Sequence, residues 1–394
     1  MQVITSENEY GRGTVHNFAS ILDEGTLAQA QRISRSPIVR EFVALMPDAH
    51  IGKGACVGAA ILTEGGILPA AVGVDIGCGV IAVQTDIREE EISQRQRGLV
   101  MGRIRDSVPP DTWKGRASAG RDHDTAWQKF HNEFGDPPTP DARSLERMAR
   151  QFGTLGSGNH FAEISVDTEG TVWALVHSGS RGPGNLLAQL HIDAAVALCA
   201  REGIQVEERD LAYLPAGSPE FDAYIADMLW AQAYAFHQRR AMADNLLWAL
   251  EEVVRPFETL SETNCHHNYS ENLADGRWLS RKGAINAETG RPGVIPGSMG
   301  AATHIVTGKG AKETHETAPH GAGRLRSRGA ARRELKLEEF RAQMQGRVWQ
   351  DRDAEKLIDE APDAYKPIDV VMADAAPLVE TVAVLRAVVN YKGL

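Results

Sequence analysis

The chain has few cysteines and no long apolar run. Its 394 residues include four cysteines, Cys56, Cys78, Cys199 and Cys265, with no CxxC spacing. Neither a disulfide framework nor a zinc ribbon is therefore expected. The absence of any apolar stretch of about 18 residues argues against a membrane span. The start of the chain lacks the basic and apolar regions of a signal peptide. We therefore expect a cytoplasmic protein with no membrane partner.

Two common phosphate-binding motifs are also absent. The sequence has no GxxxxGK[ST] loop, and no GxGxxG-like element stands where a dinucleotide-binding fold would need it. The net charge of -11 argues against a grip on nucleic acid over the whole surface. A local basic stretch runs from Arg324 to Lys336, with six cations in thirteen residues. Charge alone favours reading this stretch as a solvated helix start, and any polyanion must bind at a focused site.

The apolar patterns alternate between strand and helix. Residues 38–83 are predicted to form strands joined by glycine turns. Residues 171–176 are predicted to form a buried strand that delivers His177 at its end. Residues 219–255 are predicted to form the longest helix, and residues 335–360 a charged helix.

The candidate functional residues are scattered from Asp48 to Lys392, with no internal repeat or clear linker. This distribution predicts one interwoven domain over residues 1–394, of mixed α/β (α+β) class, with central β-sheets flanked by helices. Residues 106–142 form a polar, proline-containing stretch with little periodicity. We expect this stretch to be a surface insertion.

One short loop, Val74–Val80, carries the most informative motif. It places Asp75 and Cys78 three residues apart, with glycines on both sides of the thiol. Glycine allows the backbone to bend where a side chain would clash. An aspartate and a cysteine aimed at one point offer a hard oxygen and a soft sulfur to a metal ion.

Histidines in further segments complete a candidate metal centre. His160 and His177 lie in glycine-rich surroundings, and one of the adjacent His266 and His267 is a third candidate. A single histidine after a strand is more often a hydrogen-bonded turn residue, but several such turns together favour metal binding. A pair of ions would suit phosphoryl or nucleotidyl transfer. The donor set suits Mn, Fe, Co or Zn better than Mg alone.

Two further segments are candidates for phosphate chemistry. Pro296–Gly300 follows a predicted strand, and its glycines can free backbone N–H groups to bind an anion, although such a turn is also common between strands. His320 precedes small residues and Arg324. Its imidazole can attack phosphorus to give a phosphoramidate, and the arginine can hold a phosphate. The simpler interpretation is a loop histidine entering a basic helix.

Taken together, these motifs resemble the RtcB family of RNA-splicing ligases. They occur in family order and span nearly the whole chain. The matching segments are Met46–His50, Gly52–Gly54, Val74–Val80, Gly158–Glu163, His177–Gly182, His266–Tyr269, Pro296–Gly300, His320–Arg324 and Tyr391–Gly393.

The resemblance implies an RNA ligase that uses GTP and a pair of Mn²⁺ ions. Such an enzyme joins an RNA end carrying a 2′,3′-cyclic phosphate or 3′-phosphate to a 5′-hydroxyl end. A histidine first takes GMP from GTP, and the GMP then passes to the RNA 3′-phosphate to give an RNA(3′)pp(5′)G end. The resemblance also allows an archease-like activator as a partner.

Carried over to this chain, the resemblance implies a cleft that binds metal ions and nucleotide. The catalytic residues would be His320, which carries GMP, and Asp48, which orients it. The metal ligands would be Asp75, Cys78 and His160 for one ion and Cys78, His177 and His267 for the other. His267 is preferred to His266 because the family's ligand directly precedes an asparagine. The guanylate contacts would be Asn159, Phe161, Ala162, Glu163, Asn268, Pro296, Gly297, Ser298, Met299, Thr303, Gly321, Ala322, Gly323 and Lys392.

Two other functions use parts of the same residue set. A dinuclear metallo-phosphoesterase would share the ligands without needing His320 as nucleophile. A metal-stabilised RNA-end-binding protein would show no turnover. Neither alternative needs the purine pocket that Glu163, Thr303 and Lys392 imply.

Overall fold

The computed structural model of the chain describes residues 1–110, 123–139 and 142–394. Helices and strands are interspersed along these residues, which confirms the mixed α+β class. The strands are β1 Gln2–Asn8, β2 Gly11–Asn17, β3 Val39–His50, β4 Val57–Thr63, β5 Gly66–Ile67, β6 Gly79–Arg88, β7 Phe161–Asp167, β8 Thr171–Ser178, β9 Leu214–Pro215, β10 Thr259–His266, β11 Asn268–Asn272, β12 Trp278–Lys282, β13 Ala284–Asn286, β14 Pro292–Pro296, β15 Thr303–Gly308, β16 Thr317–Pro319 and β17 Val379–Lys392. The helices are α1 Glu24–Ser34, α2 Pro69–Val72, α3 Gln94–Ser107, α4 His123–Phe134, α5 Ala142–Gln151, α6 Arg181–Arg201, α7 Pro219–Val253, α8 Arg328–Glu334, α9 Leu337–Gln343, α10 Ala354–Leu357 and α11 Ile368–Ala375.

Most of the strands belong to two large sheets. A six-stranded sheet has the order β1-β2-β3-β4-β12-β11, and a seven-stranded sheet has the order β10-β6-β8-β7-β17-β15-β14. The pair β2–β3 is parallel, whereas every neighbouring pair of the seven-stranded sheet is antiparallel. Two small two-stranded sheets, β13-β16 and β5-β9, lie outside the two large ones.

Alternation of side chains buries both faces of the six-stranded sheet. On β3, Val43 and Leu45 pack in one core cluster with α1, whereas Ala44 and Met46 pack in another with α11. Successive residues of a strand point to opposite faces, so an unbroken apolar run predicts a strand covered on both sides. Each fully buried large apolar side chain contributes roughly 1.5–3 kcal/mol.

Helices α3 and α7 cover one face of the seven-stranded sheet. Apolar residues of both helices share a core cluster with β6, β7 and β8. Helix α7 begins where the Ser218 hydroxyl accepts a hydrogen bond from the N–H of Phe221, with Pro219 in the first turn. Both are typical helix-start signals. The predicted long helix over residues 219–255 is therefore confirmed within two residues.

The strand order brings several motif residues to one end of the seven-stranded sheet. Gly79 at the start of β6 pairs with His266 at the end of β10 and with Ser178 at the end of β8. Phe161 at the start of β7 pairs with His177 and with Lys392. His267 alone separates β10 of the seven-stranded sheet from β11 of the six-stranded sheet. The candidate residues therefore meet where the two sheets adjoin.

One predicted element is wrong. Residues 335–360 do not form a single charged helix but are divided among α9, α10 and short 3-10 turns. Gly346, with φ of +83°, lies beyond the end of α9, and Phe340, Met344 and Leu357 fold inward into a small core of their own. Burial of these apolar side chains favours the broken path over a continuous, solvated helix.

The predicted insertion at residues 106–142 stays a prediction. Within it, residues 111–122 and 140–141 lie outside the described residues. Helix α4, which belongs to this stretch, buries Phe130 in a core cluster with residues of α6 and α7. Over the described part of the chain, no helix combines the length and the apolar character that crossing a membrane requires.

Candidate active site

Two overlapping groups of potential metal ligands lie at the junction of the sheets. One contains Asp75, Cys78 and His160, and the other contains Cys78, His177 and His267. Within each group the ligand atoms all lie within 4.8 Å of one another. Cys78 belongs to both groups, so its sulfur is placed to bridge two ions.

Short distances connect the ligand atoms of the cluster. The Cys78 Sγ lies 3.6 Å from His160 Nε2 and 3.4 Å from His177 Nε2. The Asp75 Oδ2 lies 3.0 Å from His160 Nε2. The Nε2 atoms of His177 and His267 face each other at 3.3 Å. Two lone pairs do not face each other at that distance unless a proton or a cation lies between them, so the arrangement fits metal binding.

Burial favours the uncharged forms of the histidine and cysteine side chains in this cluster. It lowers the pKa of His177 and of His267 well below the ordinary value, and the neighbouring imidazoles add to the effect. Both rings are therefore neutral, as metal ligation requires. Burial, reinforced by the Asp75 carboxylate, raises the pKa of the Cys78 thiol well above its usual range. A bound cation would replace the thiol proton.

Backbone hydrogen bonds hold the ligand loop against its partners. The N–H of His267 donates to the Cys78 carbonyl at 2.7 Å, and the N–H of Gly77 donates to the Asn268 carbonyl at 2.6 Å. The His160 Nδ1 lies 2.9 Å from the Leu155 carbonyl oxygen, which accepts its proton and leaves Nε2 free to bind a metal. A side chain at residue 179 would overlap the Asp75 carboxylate, whose nearest oxygen lies 2.2 Å from an ideal Cβ. Glycine is therefore required there.

The motifs did not reveal Arg239, a fully buried residue of α7 that supports this loop. Its guanidinium donates to the carbonyls of Gly77 at 2.6 Å and Ser178 at 3.0 Å. It also lies 3.1 Å from the Nδ1 of His266. The His266 Nδ1 also lies 2.8 Å from the Gly77 carbonyl oxygen, so the His266 ring contacts Gly77 and Arg239, whereas His267 lies beside His177. The only sequence signal for Arg239 is a charge at a position where the helical pattern predicts burial.

His320 lies directly after β16 and is held by Asp48. The Nδ1 of His320 lies 2.6 Å from the Asp48 Oδ2, which also accepts hydrogen bonds at 3.1 Å from the backbone N–H groups of His320 and Gly321. Asp48 is fully buried. The Nζ of Lys366 donates to the carbonyls on either side of it, Pro47 at 3.0 Å and Ala49 at 2.7 Å. The Nε2 of His320 has no hydrogen-bond partner among the described residues and is therefore available for chemistry.

The turn after His320 leaves no room for a side chain at Gly323. Gly323 has a φ of +75°, and a Cβ there would stand 2.1 Å from the Asp48 carbonyl oxygen. The ring centroids of His320 and His267 are 4.7 Å apart. This close packing places the candidate nucleophile beside the cluster of potential metal ligands.

A cleft on one side of His320 contains most of the predicted guanylate contacts. Of the 14 predicted positions, those lining it are Asn159, Phe161, Glu163, Pro296, Gly297, Ser298, Met299, Thr303, Gly321, Ala322, Gly323 and Lys392. The cleft is also lined by five residues that the sequence analysis did not assign to it: His50, Arg328, Glu360, Tyr365 and Asn390.

Two of the predicted contacts lie elsewhere. The side chain of Ala162 is fully buried in the core cluster shared with α3 and α7. Asn268 lines a second cavity together with Asp75, Cys78 and His267. His320 lines both cavities. A group bound in either cavity can therefore reach the same imidazole.

Glu163 has an unusual environment within the cleft. It is buried on β7 opposite Asn390 of β17, whose side-chain amide donates to it. Burial raises the pKa of Glu163 to about 7, although Asn390 and Lys392 oppose the shift. Its carboxyl group therefore exchanges a proton near neutral pH.

The basic stretch from Arg324 to Lys336 is extensively ion-paired. Arg324, Arg328 and Arg332 face the buried acids Asp359 and Glu360. Arg326 pairs with Glu334, and Lys336 pairs with Glu339. The two cations of this stretch that line the cleft, Arg324 and Arg328, are therefore paired with carboxylates, whereas Arg332, Arg333 and Lys336 are exposed at and beyond the start of α8.

Comparisons with known proteins agree with this geometry. A family model described as "tRNA-splicing ligase RtcB" matches residues 29–393. The chain is 38% identical over 387 residues to the RNA-splicing ligase RtcB of Escherichia coli (strain K12), covering 91% of this chain and 92% of that protein. It is 30% identical over 438 residues to the tRNA-splicing ligase RtcB of Thermococcus kodakarensis, covering 93% and 91%. It is 30% identical over 401 residues to the RNA-splicing ligase RtcB of Mycobacterium tuberculosis, covering 85% and 92%.

Proposed function

Because the chain belongs to the RtcB family of RNA-splicing ligases and is an RNA ligase, we propose that it uses GTP and a pair of Mn²⁺ ions. In this proposal it joins an RNA 2′,3′-cyclic phosphate or 3′-phosphate end to a 5′-hydroxyl end. The observation that carries the proposal is the position of His320, which is held by Asp48, packs against the potential metal ligand His267 and lines the cleft.

The proposed metal ligands follow the two groups in the cluster. Asp75, Cys78 and His160 would hold one ion, and Cys78, His177 and His267 would hold the other. Nitrogen, oxygen and sulfur donors in this combination suit Mn²⁺ better than Mg²⁺. When bound, such ions stabilise negative charge on phosphate oxygens and on the leaving group.

In the first step His320 becomes guanylylated. Its Nε2 attacks the α-phosphorus of GTP, the bond from that phosphorus to the bridging oxygen of the β-phosphate breaks, and pyrophosphate leaves. The Nδ1 proton stays on the ring and donates to the Asp48 carboxylate, 2.6 Å away, which stabilises the positive charge that develops. The close fit of Asp48 thus favours attack through Nε2.

In the following steps the guanylate passes to RNA. Water first opens a cyclic phosphate at its 2′-oxygen to give a 3′-phosphate. An oxygen of that phosphate attacks the guanylate phosphorus, the P–N bond breaks, and His320 is released while RNA(3′)pp(5′)G forms. The 5′-hydroxyl then attacks the RNA 3′-phosphorus, its proton passes to solvent, and GMP leaves.

The cleft supplies groups of the kinds that GTP would need. A charged Glu163 can accept hydrogen bonds from guanine N–H groups, which favours guanine over adenine. Backbone N–H groups of Ser298, Met299, Ala322 and Gly323, in the turns at residues 296–299 and 321–323, can bind phosphate oxygens. Asn159, Asn268, Phe161, Thr303 and Lys392 complete the proposed contacts, whereas Ala162 could contribute only backbone atoms because its side chain is in the core.

Covalent labelling tests this function directly. With Mn²⁺ and GTP labelled at the α-phosphate, the protein should acquire an acid-labile, base-stable label that His320→Ala abolishes. His131→Ala is a matched control, because His131 forms a similar histidine–carboxylate pair with Asp136 on the surface. Phosphate release without nucleotide that survives in His320→Ala would instead favour a phosphoesterase. RNA-end binding without any turnover would favour a binding protein.

We also propose that residues 1–394 act as one cytoplasmic ligase domain, with residues 106–142 as a surface insertion. The spread of site residues from Asp48 to Lys392 supports a single unit. Thermal unfolding should then show one cooperative transition. An archease-like activator, if used, should increase the number of turnovers per enzyme without changing the product.

A further inference from the structure

Glu360 is a buried carboxylate that four donors of the cleft share. Its Oε1 accepts hydrogen bonds from Arg324 Nη2 at 2.7 Å and from Arg328 Nη1 at 2.8 Å. Its Oε2 accepts hydrogen bonds from Lys392 Nζ at 2.8 Å and from the Tyr365 hydroxyl at 2.9 Å. All five residues line the same cleft as His320. One carboxylate therefore joins three separate segments of the chain.

The environment of Glu360 keeps its carboxylate charged. Burial acts to raise the pKa, but Lys392, Arg324 and Arg328 outweigh it and hold the pKa below the ordinary value. The side chain is 5% exposed. A buried charge is tolerated when its oxygens are fully hydrogen-bonded to cationic partners, as they are here.

Lys392 depends on Glu360 for its position. Its side chain is only 3% exposed. Its other hydrogen bond runs to the Gly158 carbonyl and is long, at 3.4 Å. The ammonium lies 5.9 Å from the centre of the Phe161 ring. A lysine side chain has a flexible stem of four carbons, so without a strong acceptor its ammonium would sample several positions.

The fixed ammonium matches one edge of guanine. Lys392 follows Asn390 by two residues on β17, so it lies on the same face of the strand as Asn390, which contacts Glu163. The Lys392 ammonium, as a donor, would complement the O6 acceptor of guanine, and the Glu163 carboxylate, as an acceptor, would complement its N–H donors. Adenine presents an amino donor where guanine has O6.

We propose that Glu360 is a positioning residue for base selection: its carboxylate fixes Lys392, and with it Arg324 and Arg328, where a guanine nucleotide needs them. This inference rests on the proposed function, because it assigns the cleft to GTP. Glu360 does not itself contact the reacting atoms in this scheme.

Asp359 provides a matched comparison on the same 3-10 turn. It is as buried as Glu360 and pairs with Arg328 at 2.8 Å and Arg332 at 3.3 Å. Among the described residues, the Asp359 side chain forms a hydrogen bond with neither Lys392 nor Arg324. If the acidic pair served only to hold the fold, Asp359→Asn and Glu360→Gln would behave alike.

The test measures self-guanylylation with GTP and with ATP as donor. Glu360→Ala should raise the KM for GTP by about tenfold or more, since a hydrogen bond to a charged group is lost, while kcat changes less. The preference for GTP over ATP should fall by a similar factor. Glu360→Gln, which keeps an oxygen acceptor, should recover part of the preference, and Asp359→Asn should retain it. An unchanged KM and preference in Glu360→Ala, or equal losses in Glu360→Gln and Asp359→Asn, would overturn the inference.

A second measurement does not depend on activity. Removing the Glu360 side chain leaves four donors around a space for a small carboxylate, so formate should raise the melting temperature of Glu360→Ala saturably and leave the wild type unchanged. Equal effects on both proteins would contradict the inference. If Glu360→Ala does not fold, the GTP preference of Glu360→Gln decides the question. Failure of wild-type labelling would refute the proposed function, whereas the formate result would still test whether Glu360 fills an anion site.

Discussion

Replacing Asp48 by Asn isolates the charge that lies behind His320. The Asp48 Oδ2 accepts three hydrogen bonds, from the Nδ1 and backbone N–H of His320 and from the backbone N–H of Gly321. Its Oδ1 is buried and has no partner among the described residues. An asparagine can place its carbonyl oxygen at the Oδ2 position and its amide at the Oδ1 position. The geometry would then be retained and the charge lost.

The expected loss of rate follows from the charge that forms on the ring. When Nε2 attacks phosphorus, the imidazole becomes cationic while its Nδ1 stays 2.6 Å from the Asp48 oxygen. Unit charges about 4 Å apart interact by about 4 kcal/mol at an effective dielectric constant of about 20. Since about 1.4 kcal/mol corresponds to a factor of ten, Asp48→Asn should slow guanylylation by about 10³-fold. The loss of folding stability should be smaller, about 1–3 kcal/mol.

Single-turnover labelling with saturating GTP and Mn²⁺ measures this rate, and thermal melting measures stability. Asp227→Asn is the matched control, because Asp227 is fully buried and pairs with the Nε2 of His191 at 2.7 Å, outside both cavities that His320 lines. It should lose stability without losing the labelling rate of the folded protein. A labelling rate of Asp48→Asn within tenfold of the wild type would refute the electrostatic argument.

Three further predictions follow from the site. Because burial raises the pKa of Glu163 to about 7, the Kd for GTP should rise about tenfold for each pH unit below that value. In calorimetry the Kd of Glu163→Gln for GTP should not depend on pH in this way. By the same linkage, the free energy of unfolding of the wild type should fall as pH rises from about 4.5 to 7. Cys78→Ala should lower bound manganese at both sites, whereas His160→Ala should affect only one, as elemental analysis can show; equal losses would contradict the bridging sulfur. Gly323→Ala places a methyl group 2.1 Å from the Asp48 carbonyl and should lower the free energy of unfolding by more than about 1 kcal/mol and slow labelling. Gly290→Ala, at φ +81° with open space around it, measures the backbone strain alone.

The sequence predicted the elements that have strong local signals. Strands joined by glycine turns were predicted within residues 38–83, a buried strand over residues 171–176 and the longest helix over residues 219–255, where the structure has β3, β4, β6, β8 and α7. Ordered motifs predicted the residues that meet at the cleft. These signals are local, so they can be interpreted from the sequence without knowledge of the tertiary fold.

Other features depend on contacts between distant segments. Residues alone did not decide between His266 and His267, because the groups that contact the His266 ring, the Gly77 carbonyl and Arg239, are distant from it in the chain. The charged stretch at residues 335–360 was wrongly predicted as one helix because its few apolar residues build a small core. Glu360 was missed because a single glutamate in a charged segment gives no sign that four donors converge on it.

The chain passes from one large sheet to the other through a single residue, His267. A displacement of the two β-layers relative to each other would strain the backbone at His267, whose side chain lies 3.3 Å from that of His177 in the seven-stranded layer. An ion held by both side chains would therefore oppose that shear. By linkage, the free energy that retains the ion would also maintain the alignment of the layers, so that metal loading and interlayer rigidity would be two measurements of one equilibrium.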